Sequence, residues 1–126
     1  MIHYTIPGAP ITKKNSQRMV RNATTGKMFP IPSKQYVDFE AAASYFLQPK
    51  PAAPIDSACR VTCVYYMPTR RRCDLTNLME ATHDILVKHG ILADDNYTVV
   101  TSVDGSRVYY DKANPRTEIT IEELSE

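Results

Sequence analysis

The residues best equipped for chemistry lie in one stretch, Arg70 to Asp95, reading RRRCDLTNLMEATHDILVKHGILADD. Three arginines open it, Asp74 follows them, and Asp94 and Asp95 close it. Two adjacent carboxylates repel each other, and with further acids at Asp74 and along the residues between, a cation is one way to neutralise them. Hard oxygen ligands of this kind suit Mg²⁺ or Mn²⁺. Yet exposed acids at helix ends are common, and Asp-Asp-Asn is also an ordinary turn sequence. The acids by themselves leave both readings open.

An amphipathic helix must position them. Turning about 100° per residue from Asn77 sets Leu78, Thr82, Ile85, Leu86 and His89 on one side. Asn77, Glu80, Asp84 and Lys88 fall on the other, within an arc of about 80°. One face is thus fitted to a core and the opposite face to solvent or a ligand. Asp74 or Thr76 is the expected N-cap, without a full capping box. Lys88 and His89 occupy the last turn, and Gly90 is a natural left-handed stop. After Ile91-Leu92-Ala93 the chain delivers Asp94 and Asp95.

Asp74-x-x-Asn77-Leu78, Asp84-Ile85-Leu86, Gly90 and Asp94-Asp95, in that order, resemble the signature of the RusA family of Holliday-junction resolvases. The resemblance covers residues 60 to 122. It implies a Mg²⁺-dependent homodimeric endonuclease that cuts four-way DNA junctions symmetrically, with metal ligands at Asp74, Asp94 and Asp95. The implied chemistry is phosphodiester hydrolysis by a water activated on the metal. Arg70, Arg71 and Arg72 would grip flanking phosphates, which guanidinium groups match bidentately.

Two positions depart from the family pattern. Thr76 stands where the family usually has a second aspartate, and Glu80 where it often has a lysine. The first removes a ligand and the second reverses a charge. Glu80 shares a face with Asn77 and Asp84, so it is the expected substitute ligand. The alternative is a junction-binding dimer whose cleavage activity has decayed. A metal-independent protein-interaction module is a third reading, but it leaves the charge distribution unexplained.

That distribution is uneven although the net charge is only +1. Residues 1 to 72 hold 11 Lys and Arg against 3 Asp and Glu, and residues 73 to 126 hold 4 against 11. A basic half beside an acidic, metal-capable half suits a phosphodiesterase, because one binds phosphates and the other the cation. Mutual attraction of the halves, or an acidic C-terminal tail, would give the same contrast.

At 126 residues and 43% hydrophobic, the chain is expected to form one domain over 1–126 with a single core. No run of 18 apolar residues occurs, and the N-terminus lacks a signal pattern, so a cytoplasmic protein is expected, in a bacterial, phage or prophage setting. Cys59, Cys63 and Cys73 fit reduced thiols. His3, His83 and His89 have no paired spacing with them, which speaks against zinc.

Elsewhere, Ile2 to Ile6 reads as a first strand ended by Pro7-Gly8. Residues 12 to 32 carry Lys13, Lys14, Arg18, Arg21 and Lys27 and read as a long mobile loop or an irregular hairpin turning at Thr25-Gly26, suited to the DNA backbone. A helix is expected from an N-cap at Ser33, burying Tyr36, Phe39, Ala43, Phe46 and Leu47. Ser57 to Met67 reads as a strand, with Tyr65 and Tyr66 as core and edge contacts rather than base-stacking groups. Tyr97 to Val103 reads as another, turning at Asp104-Gly105 and extended by Arg107 to Tyr110. Thr117 to Ile121 is the last strand, with Thr117, Ile119 and Ile121 facing one way. The expected fold is α+β, a small mixed or antiparallel sheet with two helices on one face, RusA-like and dimeric through strand edges.

Overall fold

The computed structural model describes residues 1–13 and 18–124. Its order is β1 (Ile2–Pro7), β2 (Arg18–Arg21), β3 (Met28–Ile31), α1 (Lys34–Phe46), β4 (Cys59–Met67), α2 (Leu75–Lys88), β5 (Val100–Ser102), β6 (Arg107–Tyr110) and β7 (Arg116–Glu123). The main sheet runs β1-β7-β4, with β5 and β6 both on the outer edge of β4. The β1–β7 and β7–β4 pairs are antiparallel, whereas β5 and β6 lie parallel to β4. The sheet is therefore mixed. Two parallel neighbours need a crossover, and α2 provides it between β4 and β5.

Period-two patterning decides which face is buried. Cys59, Val61, Cys63 and Tyr65 point inward from β4, Thr117, Ile119 and Ile121 from β7, and Tyr4 and Ile6 from β1. Ala43, Leu47, Leu78, Ile85 and Leu86 from the helices complete the same core. The helices thus share one face of the sheet. The opposite face is laced by polar cross-strand pairs, such as Arg60 to Glu122 at 3.0 Å and His3 to Thr120 at 3.0 Å.

Both helices start and stop as their sequences predict, with local differences. The Ser33 hydroxyl accepts from the Tyr36 N–H at 3.1 Å, a true side-chain cap on α1. Asp74 is the N-cap of α2 by conformation, but its carboxylate makes no capping bond. Gly90 ends that helix at φ +76°. Phe46, expected inside, remains 37% exposed, because the last turn of α1 faces solvent and Leu47 fills the core instead.

Two further expectations change in detail. Residues 18–31 form a two-stranded hairpin, Arg18–Arg21 against Met28–Ile31, which decides between the loop and hairpin readings. Regular strand begins only at Val100, not at Tyr97, which is 81% exposed. The competing force there is local turn chemistry. Asn96 Oδ1 accepts from the Thr98 N–H at 2.9 Å and Asn96 O from the Val100 N–H at 2.8 Å, holding the segment off the sheet.

The turn at Asp104-Gly105 does not reverse the chain. It bulges out and returns β6 to the same edge of β4 that β5 began. The Thr62 hydroxyl donates to Asp104 O at 2.7 Å and the Cys63 N–H to Ser106 Oγ at 3.0 Å, pinning the bulge. Gly105 sits there at φ +87°, and an added Cβ would lie 3.2 Å from Thr62 Cγ2.

Candidate active site

The segment Arg70 to Asp95 is divided by α2 between two ends of the molecule. Helix α2 is fixed to β4 at mid-length by Tyr65, whose buried hydroxyl meets Thr82 Oγ1 at 2.7 Å. Thr82 in turn donates to Leu78 O at 3.0 Å. Its fourteen residues rise about 20 Å. Asp74 stands at one end, and Asp94 and Asp95 follow the other.

At the first end, β4 runs out at Met67 and the arginines follow. The Arg70 guanidinium lies 4.2 Å over the Tyr110 ring of β6, a cation–π contact. Arg71 and Arg72 are exposed and, with Thr12, Gln35, Met67 and Leu78, line a shallow cleft of about 300 Å³. Asp74 is exposed, and its Oδ2 accepts from the Asn77 amide at 3.2 Å.

The other end holds an open cleft of about 460 Å³ between α1 and α2, bordered by Lys13, Tyr36, Glu40, Asp84, Lys88 and Asp95. Lys13 Nζ pairs with Asp84 at 2.8 Å, and Lys88 pairs with Glu40. The charges of Glu40, Asp84 and Glu80 add to burial in raising the Tyr36 hydroxyl far above its ordinary range. Asp94 is a turn former here. Its Oδ1 accepts from the Asp95 N–H at 2.7 Å and its Oδ2 from the Asn96 amide at 3.1 Å.

This end of the chain is anchored. Ile91 and Leu92 are buried. The Ile55 N–H donates to Ile91 O at 2.9 Å and the Ala93 N–H to Ile55 O at 2.9 Å, a parallel bridge that sets where the aspartates emerge.

Over residues 7–122 the chain matches the family model described as Endodeoxyribonuclease RusA. The chain belongs to the RusA family. No curated protein sequence matches it. The family is one of endodeoxyribonucleases, and its span extends beyond the 60–122 segment to include α1 and the basic hairpin.

The acids expected from the resemblance stand on α2 and its flanks, and their placement decides whether one chain could hold an ion with them. Among the described residues, no three His, Cys, Asp or Glu side chains come together as a metal-binding group. Asp74 lies ten residues, or about 15 Å of helical rise, from Asp84, which lines the same cleft as Asp95. Two carboxylates on one Mg²⁺ have oxygens within about 4 Å of each other, given metal–oxygen distances near 2.1 Å. Within a single chain, the expected set of Asp74, Glu80, Asp94 and Asp95 does not fit one ion. Glu80 is exposed on the α2 stripe one turn before Asp84, with Asn77 one turn before it.

The basic residues are likewise dispersed. Arg18, Arg21 and Lys27 are exposed on the hairpin, where Arg21 Nη1 donates to Gly26 O at 2.9 Å. Lys13, expected on phosphate, is instead neutralised by Asp84, and Lys14 lies outside the described residues.

Two features of this RusA-family protein go beyond what the sequence reading assigned to their residues. His83 Nε2 is buried without a hydrogen-bond partner among the described residues. Burial lowers the His83 pKa, against the smaller opposing pull of Asp95 and Asp84. At the far edge of the sheet, Tyr66 stacks on Tyr109 at 5.6 Å and carries the Arg116 guanidinium 3.7 Å above its ring. That array depends on cross-strand register, to which a single sequence gives no guide. His83 could have been flagged as the polar residue between the two faces of the helix.

Proposed function

We propose that this RusA-family protein is a homodimeric, Mg²⁺-dependent endodeoxyribonuclease that resolves four-way DNA junctions during recombination and repair. Mn²⁺ is the expected substitute metal. The observation that carries the reading is the family match over residues 7–122, a span that contains the acid-bearing helix and the arginines before it. The charge division supports it. Arg70, Arg71 and Arg72 precede α2, and Arg18, Arg21 and Lys27 stand exposed on a hairpin, so cationic groups are available to a polyanion. The cytoplasm of a bacterium, in a phage or prophage setting, fits such a substrate. No helix among the described residues is long and apolar enough to cross a membrane.

In this reading Arg70, Arg71, Arg72 and the hairpin position the duplex arms through their phosphates, while Asp74, Asp94, Asp95 and Glu80 supply the acidic groups of the reaction, with Asn77 and Asp84 in support. Asn77 orients the Asp74 carboxylate through its amide, and Asp84 holds Lys13 at the cleft.

Dimerisation answers the misfit of the acids within one chain. The Tyr65–Thr82 bond and the buried Leu78, Ile85 and Leu86 lock α2 onto β4, so neither end of the helix can bend toward the other without unpacking the core. In place of the strand-edge pairing expected from the sequence, a two-fold axis crossing α2 near its middle would invert the helix, so that the Asp74 end of one copy meets the Asp95 end of its partner. Charge favours that pairing, because exposed Arg71 and Arg72 precede Asp74 at one end and exposed Asp94 and Asp95 close the other.

The decisive assay incubates pure protein with a synthetic four-way junction, with and without Mg²⁺. Symmetric nicks near the crossover that need the metal are the expected result. A specific observation favours one alternative, a junction-binding dimer without cleavage: Thr76 and Glu80 depart from the family pattern, and one chain does not gather the acids around an ion. Retarded junctions left uncut in Mg²⁺ and in Mn²⁺ would establish that reading instead.

A further inference from the structure

We propose that the outer face of the sheet at β6 is a stacking platform for an unpaired DNA base, with Tyr109 as the ring that receives it. The inference rests on the DNA-binding part of the reading above and not on the metal or on cleavage. It starts from a row of side chains set by strand register. Arg116 of β7 lies opposite Tyr66 of β4, and Tyr66 lies opposite Tyr109 of β6.

The row forms three layers. The Arg116 guanidinium sits 3.7 Å over the Tyr66 ring, and the Tyr109 ring stacks beyond it at a centroid distance of 5.6 Å and an interplanar angle of 28°. The stack then stops. At this level β6 is the edge strand, no further strand among the described residues lies beyond it, and Tyr109 is 46% exposed. An aromatic stack that ends on an exposed ring can be continued by any base, since every base offers a π-face.

A single exposed tyrosine would need no explanation. Here, however, the ring is held and a cation stands beside it. Arg107 Nη1 donates to the Tyr109 hydroxyl at 3.3 Å, and Arg107 Nε donates to Gly105 O at 3.2 Å, so the guanidinium is fixed at the edge of the ring. Arg107 is exposed and has no carboxylate partner among the described residues. Of the acids around the row, Asp111 and Glu118 are engaged by Arg116 at 3.0 Å and 3.7 Å, and the exposed Asp104 on the preceding turn makes no ion pair with Arg107. A base on Tyr109 would therefore carry its phosphate toward an unneutralised cation, which decides for a nucleic acid strand over an apolar partner.

Tyr110, the next residue along β6, points to the opposite face of the strand, where it is 42% exposed beneath the Arg70 guanidinium, so the arginines before Asp74 lie around the sheet edge from the platform. Paired bases keep their faces inside the duplex, so the ligand must be a strand whose bases are open, as in a melted segment or a single-stranded end.

The test measures anisotropy of a labelled oligothymidylate on the full chain without divalent metal, beside an abasic oligomer of the same length and charge. Wild type should bind the thymidylate more tightly than the abasic strand. Tyr109→Ala should weaken thymidylate binding about tenfold or more and leave the abasic strand unaffected, while Tyr109→Phe, which keeps the ring, should stay near wild type. An oligomer carrying 5-iodouracil should photocrosslink to Tyr109, which reads the contact in wild type whatever the fate of the variants. Equal binding of the two oligomers, no binding of either, or crosslinks confined to other residues overturns the platform. So does a change of sedimentation in Tyr109→Ala, which would assign this edge to a second copy of the chain. Thymidylate binding at Tyr109 in a protein that leaves junctions uncut would sustain the platform while removing the proposed cleavage.

Discussion

His83 illustrates how one side chain ties stability to the site. Its folded pKa is depressed below 6.5, first by burial, so the folded protein holds it neutral. The unfolded chain takes up that proton as pH falls through about 6.5, so stability is present above this pH and is lost below it. Denaturant midpoints measured between pH 8 and pH 5 should therefore fall toward acid, and His83→Gln should flatten that part of the curve. An unchanged slope in the variant would mean that other groups carry the dependence. Asp95 and Asp84 pull the other way, so the acids of the site soften the penalty that burial imposes on this imidazole.

At the scale of elements, α2 and its flanks carry the predictions about DNA and metal. Replacing Arg70, Arg71 and Arg72 by Ala should weaken binding to all DNA shapes and flatten its salt dependence, by about 0.9 in slope for each phosphate no longer neutralised. Fluorescence anisotropy across a salt series measures this. A slope equal to wild type would confine the arginines to structural roles such as the packing of Arg70 on Tyr110. The face of α2 that carries Glu80 offers a companion test. If Glu80 substitutes for the acid missing at Thr76, Glu80→Gln should lower junction cleavage by orders of magnitude, and adding Thr76→Asp should restore part of the rate. Such non-additivity marks two residues serving one site. Full activity in Glu80→Gln would identify it as a solvated helix residue.

For the whole molecule, one core joins the sheet and both helices, so its thiols report on global opening. Cys59 and Cys63 are fully buried, and burial pushes the Cys63 thiol up to about 12, while Cys73 is half-buried. Under native conditions iodoacetamide should modify Cys73, with Cys59 and Cys63 reacting only at the rate of unfolding. Mass spectrometry of a time course would show it. Rapid native labelling of Cys63 would contradict a single cooperative core. The proposed dimer has its own test at this scale. Asp74→Asn and Asp95→Asn should each abolish cleavage, and mixing the two variants should restore about a quarter of the intact sites, because random pairing gives half mixed dimers with one complete site in each. No recovery after verified subunit exchange would place all the acids of a site in one chain.

The division between what was and was not legible in the sequence follows from the range of the forces. Helix α2, with its apolar stripe through Leu78, Thr82, Ile85 and Leu86 and its stop at Gly90, was determined by local periodicity and backbone preference. So were the inward positions of Thr117, Ile119 and Ile121 and the Ser33 cap. The ordered motif from Asp74 to Asp95 likewise identified the family, because a signature is a property of spacing along the chain. Tertiary structure alone decided that β5 and β6 run parallel on one edge of β4, since strand pairing is set by distant partners rather than by the strands' own residues. The row of Arg116, Tyr66 and Tyr109 exists only through that pairing. Packing also decided where the aspartates stand. Adjacency in sequence suggested one cluster, but α2 puts about 15 Å of rise between Asp74 and Asp84, and the long-range Ile55–Leu92 bridge sets where Asp94 and Asp95 emerge beyond the helix.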